Sequence, residues 1–224
     1  MNNPAPITHA LFDMDGLLLD TEVIYTEVTQ KIVSRFGKQY DWSLKANMIG
    51  RKAIDSARYL VRELDLPITA EMYLEERNGL LAEGFANTKA LPGAKRLIEH
   101  LHSHEVPIAL ATSSNRALYE IKASGHRQWF DHFNIVVTGD DPEVSDGKPA
   151  PDIFLVAAKR LGADPAATLV FEDAPSGLQA ATAAKMRAVV VPDPNMDKGR
   201  YFEADLILDS LNDFDPDRYG LPPY

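Results

Sequence analysis

Short apolar runs alternate along the chain with longer segments of helical period. The runs are rich in aliphatic residues, and polar residues follow each of them. They cover residues 7–12, 106–111, 135–137, 168–171, 188–191 and 206–208. The segments between them predict helices over residues 94–102, 116–123, 152–161 and 176–185, and Gly162 is a left-handed stop for the third. This alternation predicts a parallel sheet with helices on both faces.

One stretch near the N-terminus breaks the alternation. From about residue 21 to residue 88 the sequence has helical periodicity and no convincing strand. Apolar residues recur there at every fourth position, as on one face of a helix: Ile24, Val28, Ile32 and Phe36. Residues 54–64 and 70–85 predict two more helices. We therefore expect an α/β fold with a Rossmann-like core, residues 1–20 and 89–224, and an inserted small helical cap domain, residues 21–88.

Composition and charge narrow the class of protein. The chain has 224 residues, no cysteine and a formal net charge of −10. Without cysteine there is no disulfide, thiolate nucleophile or thiolate metal ligand. The negative charge argues against a nucleic-acid partner. We find neither a signal-peptide pattern nor a membrane span, so we expect a cytoplasmic protein. The oligomeric state stays open, and a monomer is compatible with the sequence.

The first predicted strand ends in two aspartates, Asp13 and Asp15, followed by Gly16. A glycine allows the chain to turn sharply, so that both carboxylates can face one site. One carboxylate can then attack phosphorus while the other handles the proton of the ester oxygen. On its own the tetrapeptide also fits an acidic turn or a calcium-type loop.

Three later segments carry further polar residues. Thr112 and Ser113 end the second strand and could hold phosphoryl oxygens, although either residue could simply cap the next helix. Lys148, between glycine and proline, could reach a nucleophile and a phosphate, or it could be a solvated loop lysine. Glu172 and Asp173 end the fourth strand, where carboxylates suit a magnesium ion or a helix cap.

The order of these four motifs along the chain is distinctive. Asp-x-Asp-Gly, Thr-Ser, Lys-Pro and Glu-Asp follow one another in a pattern that resembles the haloacid dehalogenase superfamily. The resemblance implies an Asp13 nucleophile, an Asp15 general acid and base, and an aspartyl-phosphate intermediate. It also implies phosphate contacts and a Mg²⁺ site, and the Mg²⁺ site shares Asp13 and Asp15 with the catalytic residues. The phosphate residues are Thr112, Ser113 and Lys148, and the metal residues are Asp13, Asp15 (through its main-chain carbonyl), Glu172 and Asp173.

A closer likeness concerns one group of phosphatases within that superfamily. Residues 12–22, 139–144, 170–177 and 219–223 resemble pseudouridine-5′-phosphate phosphatases of animals and glycerol-3-phosphate phosphatases of plants. The likeness implies a small phosphorylated metabolite as substrate: pseudouridine 5′-phosphate, glycerol 3-phosphate or a related sugar phosphate. Because a cap over the site needs cations that face a phosphate ester, Arg51 and Lys52 are the candidate substrate residues; a solvated helix start explains them equally well.

Two other functions stay open at this point. A sugar-phosphate mutase resembling β-phosphoglucomutase would carry a histidine close to the cap, and the corresponding segment, residues 21–25, holds none. A non-catalytic binding protein could keep the same fold, but every motif position is intact. A haloalkanoate dehalogenase is disfavoured because those enzymes lack the second aspartate, which is present here as Asp15.

Overall fold

The computed structural model describes residues 6–49, 53–85 and 87–224. Six parallel strands form one sheet in the order β3-β2-β1-β4-β5-β6. They are β1 (His9–Phe12), β2 (Ile108–Thr112), β3 (Ile135–Thr138), β4 (Thr168–Glu172), β5 (Arg187–Val190) and β6 (Leu206–Ile207). The six predicted strands are therefore confirmed, with ends displaced by one or two residues. In this strand order, β1 and β4 lie side by side in the middle of the sheet.

Nine α-helices lie within the described ranges. They are α1 (Thr21–Ser34), α2 (Trp42–Met48), α3 (Ala53–Glu63), α4 (Ala70–Phe85), α5 (Ala94–Ser103), α6 (Arg116–Ala123), α7 (Arg127–Phe130), α8 (Asp152–Leu161) and α9 (Pro175–Ala183). Gly162 ends α8 with a φ of +71°, as predicted. In these ranges the structure contains no helix with both the length and the apolar character to cross a membrane.

Two helices were missing from the sequence prediction. Helix α2 buries only Leu44 and Lys45, so its seven residues show no apolar period. Its start depends instead on Asp41, whose carboxylate accepts a hydrogen bond from the Leu44 amide at 3.1 Å. Helix α7 has only four residues, which is too short for a periodic pattern.

The sheet is buried on both faces, because alternate strand residues point to opposite sides. Phe12 and Phe171 belong to the cluster that packs against α5 and the C-terminal segment, and their rings stack at 4.6 Å. Leu11 and Val170 belong to the opposite cluster, under α8 and α9. Helices on both faces of a parallel sheet confirm the predicted α/β class.

Helices α1–α4, which we call the cap helices, pack around a third hydrophobic cluster. Its fully buried members are Ile32, Val33, Ala57, Leu60, Tyr73, Leu81 and Phe85. Leu118 and Ile121, from helix α6 of the other part of the chain, pack against this cluster. The separate cluster supports a division of the chain into a core and a cap. The boundaries of the cap at residues 21 and 88 stay a prediction.

The two segments that join the cap helices to the sheet lie side by side. The Asp20 amide donates to the Lys89 carbonyl at 2.9 Å, and the Leu91 amide donates to the Leu18 carbonyl at 2.9 Å. We call residues 18–20 and 89–91 the paired linkers. Because each linker is bonded to the other, the cap helices are held by a short two-stranded connection.

We expect Phe171→Ala to destabilise the protein strongly, because it removes a fully buried ring that stacks on Phe12. A Phe→Ala change in a core costs about 3–5 kcal/mol of unfolding free energy. Phe202→Ala is the matched control, since that ring is 82% exposed and its loss should change stability by less than about 0.5 kcal/mol. Urea titration measures both. Equal losses in the two variants would contradict this account of the core.

Candidate active site

The functional side chains meet at the carboxyl ends of the two central strands. Asp13 directly follows β1, and Asp173 directly follows β4. In a sheet of this topology, ligands bind at the carboxyl edge where the chain order reverses. Lys148 comes from the segment before α8 and reaches the same edge. Residues far apart in sequence are thereby brought to one point.

Lys148 is buried between two carboxylates. Its Nζ lies 2.5 Å from Asp13 Oδ1 and 2.6 Å from Glu172 Oε1. It also donates to the Ala111 carbonyl at 3.1 Å. An ammonium has three N–H donors, and each of them has an acceptor here. The buried charge is therefore fully paired, which a buried lysine requires.

Glu172 links Lys148 to the start of helix α9. Its second oxygen, Oε2, accepts hydrogen bonds from the Asp173 amide at 2.9 Å and the Ala174 amide at 3.1 Å. The side chain lies directly on Gly177, where an added Cβ would come within 1.8 Å of Glu172 Oε1. Both oxygens of Glu172 thus have protein partners, and they orient the lysine and the loop that carries Asp173.

Asp13, Glu172 and Asp173 form a group that can hold a metal ion, since one oxygen from each lies within 4.8 Å of the others. Gly16 makes room for this group. It has a φ of +84°, and an added Cβ would lie 2.3 Å from Asp173 Oδ2. Only glycine combines that backbone conformation with that space. Hard carboxylate oxygens are the ligands that Mg²⁺ prefers, so the donor set fits the predicted ion.

The electrostatics of this group also favour a cation. Burial raises the pKa of Asp13 to about 7; Lys148 opposes the rise, and Glu172 and Asp15 add to it. Burial likewise raises the pKa of Asp173 well above its usual range, and the charges of Glu172 and Asp13 add to that effect. Carboxylates that resist ionisation in the absence of a metal gain most from a divalent cation among them.

The Asp15 side chain has different partners. Its Oδ1 lies 2.5 Å from Lys122 Nζ, and its Oδ2 accepts from Ser114 Oγ at 2.9 Å and Thr112 Oγ1 at 3.3 Å. Burial on its own raises the pKa of Asp15, but the pair with Lys122 and the hydrogen bond from Ser114 bring it below its usual range. Asp13 and Asp15 therefore pair with two different lysines.

A cavity of about 630 Å³ opens between this edge of the sheet and the cap helices. Asp13, Asp15 and Asp173 lie on its sheet side. The cap helices contribute Lys45, which pairs with Glu22 at 3.2 Å, and Arg77, which lies over the rings of Tyr25 and Tyr73. The cavity therefore combines a carboxylate group on one wall with cations and aromatic rings on the other.

Most of the predicted site residues come together in this cavity. Ser113 is exposed on its wall, whereas Thr112 is buried and bonds to Asp15 and to the Ser114 amide. The metal prediction for Asp15 concerned its main-chain carbonyl and stays a prediction. Arg51 and Lys52, the candidate substrate residues of the cap, lie outside the described residues.

The sequence prediction missed several polar residues of the site: Glu22, Lys45, Arg77, Ser114 and Lys122. Lys122 had a signal, because it lies on the buried face of α6 together with Tyr119 and Ala123. A lysine among the apolar positions of a helix indicates a buried partner of opposite charge. Lys45 and Arg77 had no comparable signal, since lysine and arginine are common on solvated helix surfaces.

The chain is similar to known proteins over most of its length. A profile of the family described as haloacid dehalogenase-like hydrolase matches residues 10–191. The (DL)-glycerol-3-phosphatase 2 of Arabidopsis thaliana is 50% identical across 100% of this chain and 98% of that protein. A Drosophila melanogaster protein named "probable pseudouridine-5′-phosphatase" is 44% identical across 97% of this chain and 96% of that protein.

Solved structures show the same fold. The crystal structure of a β-phosphoglucomutase from Clostridium difficile superposes with a TM-score of 0.75, over 92% of each chain and at 24% identity. At that identity the likeness concerns the fold alone. Since phosphatases and a mutase share this architecture, the fold does not choose between their reactions.

We expect Asp173→Asn to stabilise the metal-free protein increasingly as the pH rises from 5 to 8. The pKa of Asp173 is higher in the folded than in the unfolded chain, so ionising it costs folded-state stability. This cost is absent below the unfolded pKa, about 4, and grows as the pH rises towards the folded pKa.

Chemical unfolding in EDTA at several pH values measures this difference between variant and wild type. Asp209→Asn is the control, because that side chain is 84% exposed and the same exchange there should have a smaller effect. A wild-type protein that gains stability over the variant with rising pH would contradict the expectation.

Proposed function

The chain belongs to the haloacid dehalogenase-like hydrolases and is a phosphatase, and from this premise we propose that it hydrolyses a small phosphorylated metabolite through an aspartyl-phosphate on Asp13. The observation that carries this proposal is the position of Asp13, which lies at the end of β1 in contact with Lys148 and beside Asp173. Mg²⁺ is the proposed cofactor. A cytoplasmic location, expected from the sequence, is part of the same proposal.

In the first step, an oxygen of Asp13 attacks phosphorus and the bond from phosphorus to the ester oxygen breaks. Asp13 must be ionised for this attack, and burial works against its ionisation. Lys148 at 2.5 Å offsets part of that penalty. Its ammonium also lies where it can stabilise negative charge on the phosphoryl oxygens.

Asp15 moves the protons in both steps. It gives a proton to the ester oxygen as that oxygen leaves, and it later takes one from the water that attacks the phosphorus. The pairing with Lys122 favours the ionised Asp15 that the second step needs. An arriving phosphate dianion beside Asp15 favours the protonated form that the first step needs, because a nearby like charge raises a carboxyl pKa.

Asp13 and Asp173 are the proposed side-chain ligands of Mg²⁺, with the Asp15 carbonyl as a third. When bound, the ion supplies positive charge that lets the carboxylates ionise and offsets charge on the phosphoryl group. Glu172 lies in the same group, and its two oxygens already accept hydrogen bonds from Lys148 and from the Asp173 and Ala174 amides. We propose that it supports the site by holding these partners, and its own contact with the ion stays a prediction.

We propose that the cap wall of the cavity recognises the leaving group. Arg77 forms no ion pair with a carboxylate among residues 6–49, 53–85 and 87–224. Its Nη2 donates to Asn78 Oδ1 at 3.2 Å, and its buried Nε has no hydrogen-bond partner in those ranges. An unpaired guanidinium donor favours an oxygen acceptor on the substrate. This supports an oxygen-rich leaving group, as in glycerol 3-phosphate, pseudouridine 5′-phosphate or a related sugar phosphate.

The mutase alternative has less support. The residues of the 21–25 segment that line the cavity are Glu22 and Tyr25, and no histidine is among the described residues that line it. The nucleophile and the general acid and base that hydrolysis needs, Asp13 and Asp15, are both present. The proposal therefore places the chain with the phosphatases that it matches at 44–50% identity.

We expect Asp13→Asn to abolish turnover, with a loss on the order of 10⁴-fold or more, because a nucleophile has no substitute in this site. Phosphate release from a panel of phosphorylated metabolites measures the effect, and circular dichroism checks the fold. Asp209→Asn is the matched control for the same exchange at an exposed position. Hydrolysis by Asp13→Asn at the wild-type rate would refute the nucleophile assignment.

We expect EDTA to remove activity and Mg²⁺ to restore it, because the carboxylate group binds hard cations. Thermal stability in EDTA should rise on addition of Mg²⁺, since an ion that binds only the folded state stabilises it. In Asp173→Asn that rise should be absent or much smaller. Full activity in protein shown to be metal-free by elemental analysis would exclude the proposed cofactor.

A further inference from the structure

Lys122 is a buried lysine that the sequence prediction did not place in the site. The residue is only 1% exposed, although it lies on the short helix α6. Removing an ammonium from water is costly unless all of its donors find partners. The hydrogen-bond partners of the Lys122 ammonium therefore indicate the role of this side chain.

The Lys122 ammonium has three oxygen acceptors, one for each of its N–H donors. Nζ lies 2.5 Å from Asp15 Oδ1, 2.8 Å from Ser114 Oγ and 3.4 Å from the Tyr25 hydroxyl. The ring of Phe85 lies 4.2 Å from the same atom, close enough for a cation–π contact. Tyr25 and Phe85 belong to the cap helices, so the lysine is fixed from both sides of the cavity.

Three hydrogen bonds to the Asp15 carboxylate come from one segment of the chain. Its oxygens accept from Lys122, Ser114 and Thr112, which all belong to the β2–α6 segment, and Ser114 also accepts from Lys122. A carboxylate with three such donors cannot rotate freely about its side-chain bonds. Its position relative to Asp13, only two residues away, is thereby set by a separate part of the fold.

We infer that Lys122 is a positioning residue that holds the Asp15 carboxylate in place for the water-activating step of phosphate ester hydrolysis. This inference rests on the proposed role of Asp15. In that step, a water oxygen bonds to phosphorus, the bond from phosphorus to Asp13 breaks and restores the Asp13 carboxylate, and Asp15 takes the proton of the water. Among the described residues, the side-chain hydrogen bonds of Lys122 go to Asp15, Ser114 and Tyr25 and not to the Asp13 nucleophile, so it acts through Asp15.

The effect of removing Lys122 on the rate of each reaction step distinguishes this role from a merely structural one. With p-nitrophenyl phosphate, the leaving phenolate departs without a proton from the protein, so formation of aspartyl-phosphate depends little on Asp15. Breakdown of aspartyl-phosphate needs Asp15 for any substrate. A residue that positions Asp15 should therefore slow the second step more than the first.

The experiment compares both steps in Lys122→Met, Asp15→Asn and the double variant, in Mg²⁺. Stopped-flow release of p-nitrophenolate gives the first step, and acid quench with mass spectrometry gives the fraction of phosphorylated enzyme. We expect Lys122→Met to slow the second step by about 10²-fold, towards the range of general base catalysis, and the first step by less than threefold. Phosphorylated enzyme should accumulate, and Lys122→Arg should restore part of the lost rate.

The double variant and a second lysine provide the controls. Lys122→Met should add no further loss when Asp15 is already Asn, because two residues that act as one unit are not additive. This double variant also leaves no unpaired charge, so it carries the test if Lys122→Met does not fold. Lys45→Met removes another buried lysine of the same cavity, which pairs with Glu22, and should not slow the second step more than the first, so phosphorylated enzyme should not accumulate.

Each contrary result has a separate meaning. Equal slowing of both steps in Lys122→Met, or full additivity with Asp15→Asn, would overturn the positioning role. If Asp15→Asn itself accumulates no phosphorylated enzyme, the proposed role of Asp15 fails instead. If the wild-type enzyme hydrolyses neither p-nitrophenyl phosphate nor glycerol 3-phosphate, the proposed function fails and this inference fails with it.

Discussion

The repulsion among buried carboxylates is the constraint that the rest of the site has to satisfy. Asp13, Asp15, Glu172 and Asp173 meet at the ends of two neighbouring strands. Two like charges 4 Å apart repel by about 4 kcal/mol at the dielectric of a protein surface, against a total stability of roughly 5–15 kcal/mol for a typical domain. The fold can carry this group only because buried cations are placed against it.

The protein meets the constraint with two lysines from different segments. Lys148 comes from the loop before α8 and pairs with Asp13 and Glu172, while Lys122 comes from α6 and pairs with Asp15. The two aspartates are neighbours in sequence, yet they have opposite pKa shifts: that of Asp13 is raised and that of Asp15 is lowered. Chemically identical groups can therefore take different roles because their surroundings differ.

The sequence allowed the sheet and the sheet-side residues to be predicted, because both follow from local patterns. Each strand is an apolar run, and the polar residue after it must lie at the carboxyl edge. The cap wall could not be predicted in the same way. Arg77 and Lys45 look like ordinary surface residues of amphipathic helices, and only the tertiary packing turns them towards the cavity. Helix α2 was missed for a related reason, since its burial has no period.

The paired linkers determine how the cap helices can move. A single linker would let them turn about its axis, so that each closure could present a different face to the sheet. Two linkers bonded through Asp20, Lys89, Leu18 and Leu91 resist that turning and leave bending as the softer motion. If the cap helices bend about this connection, the same face of the cap would meet the sheet at each closure. Alignment of the cap wall with the carboxylates would then follow from the connection itself.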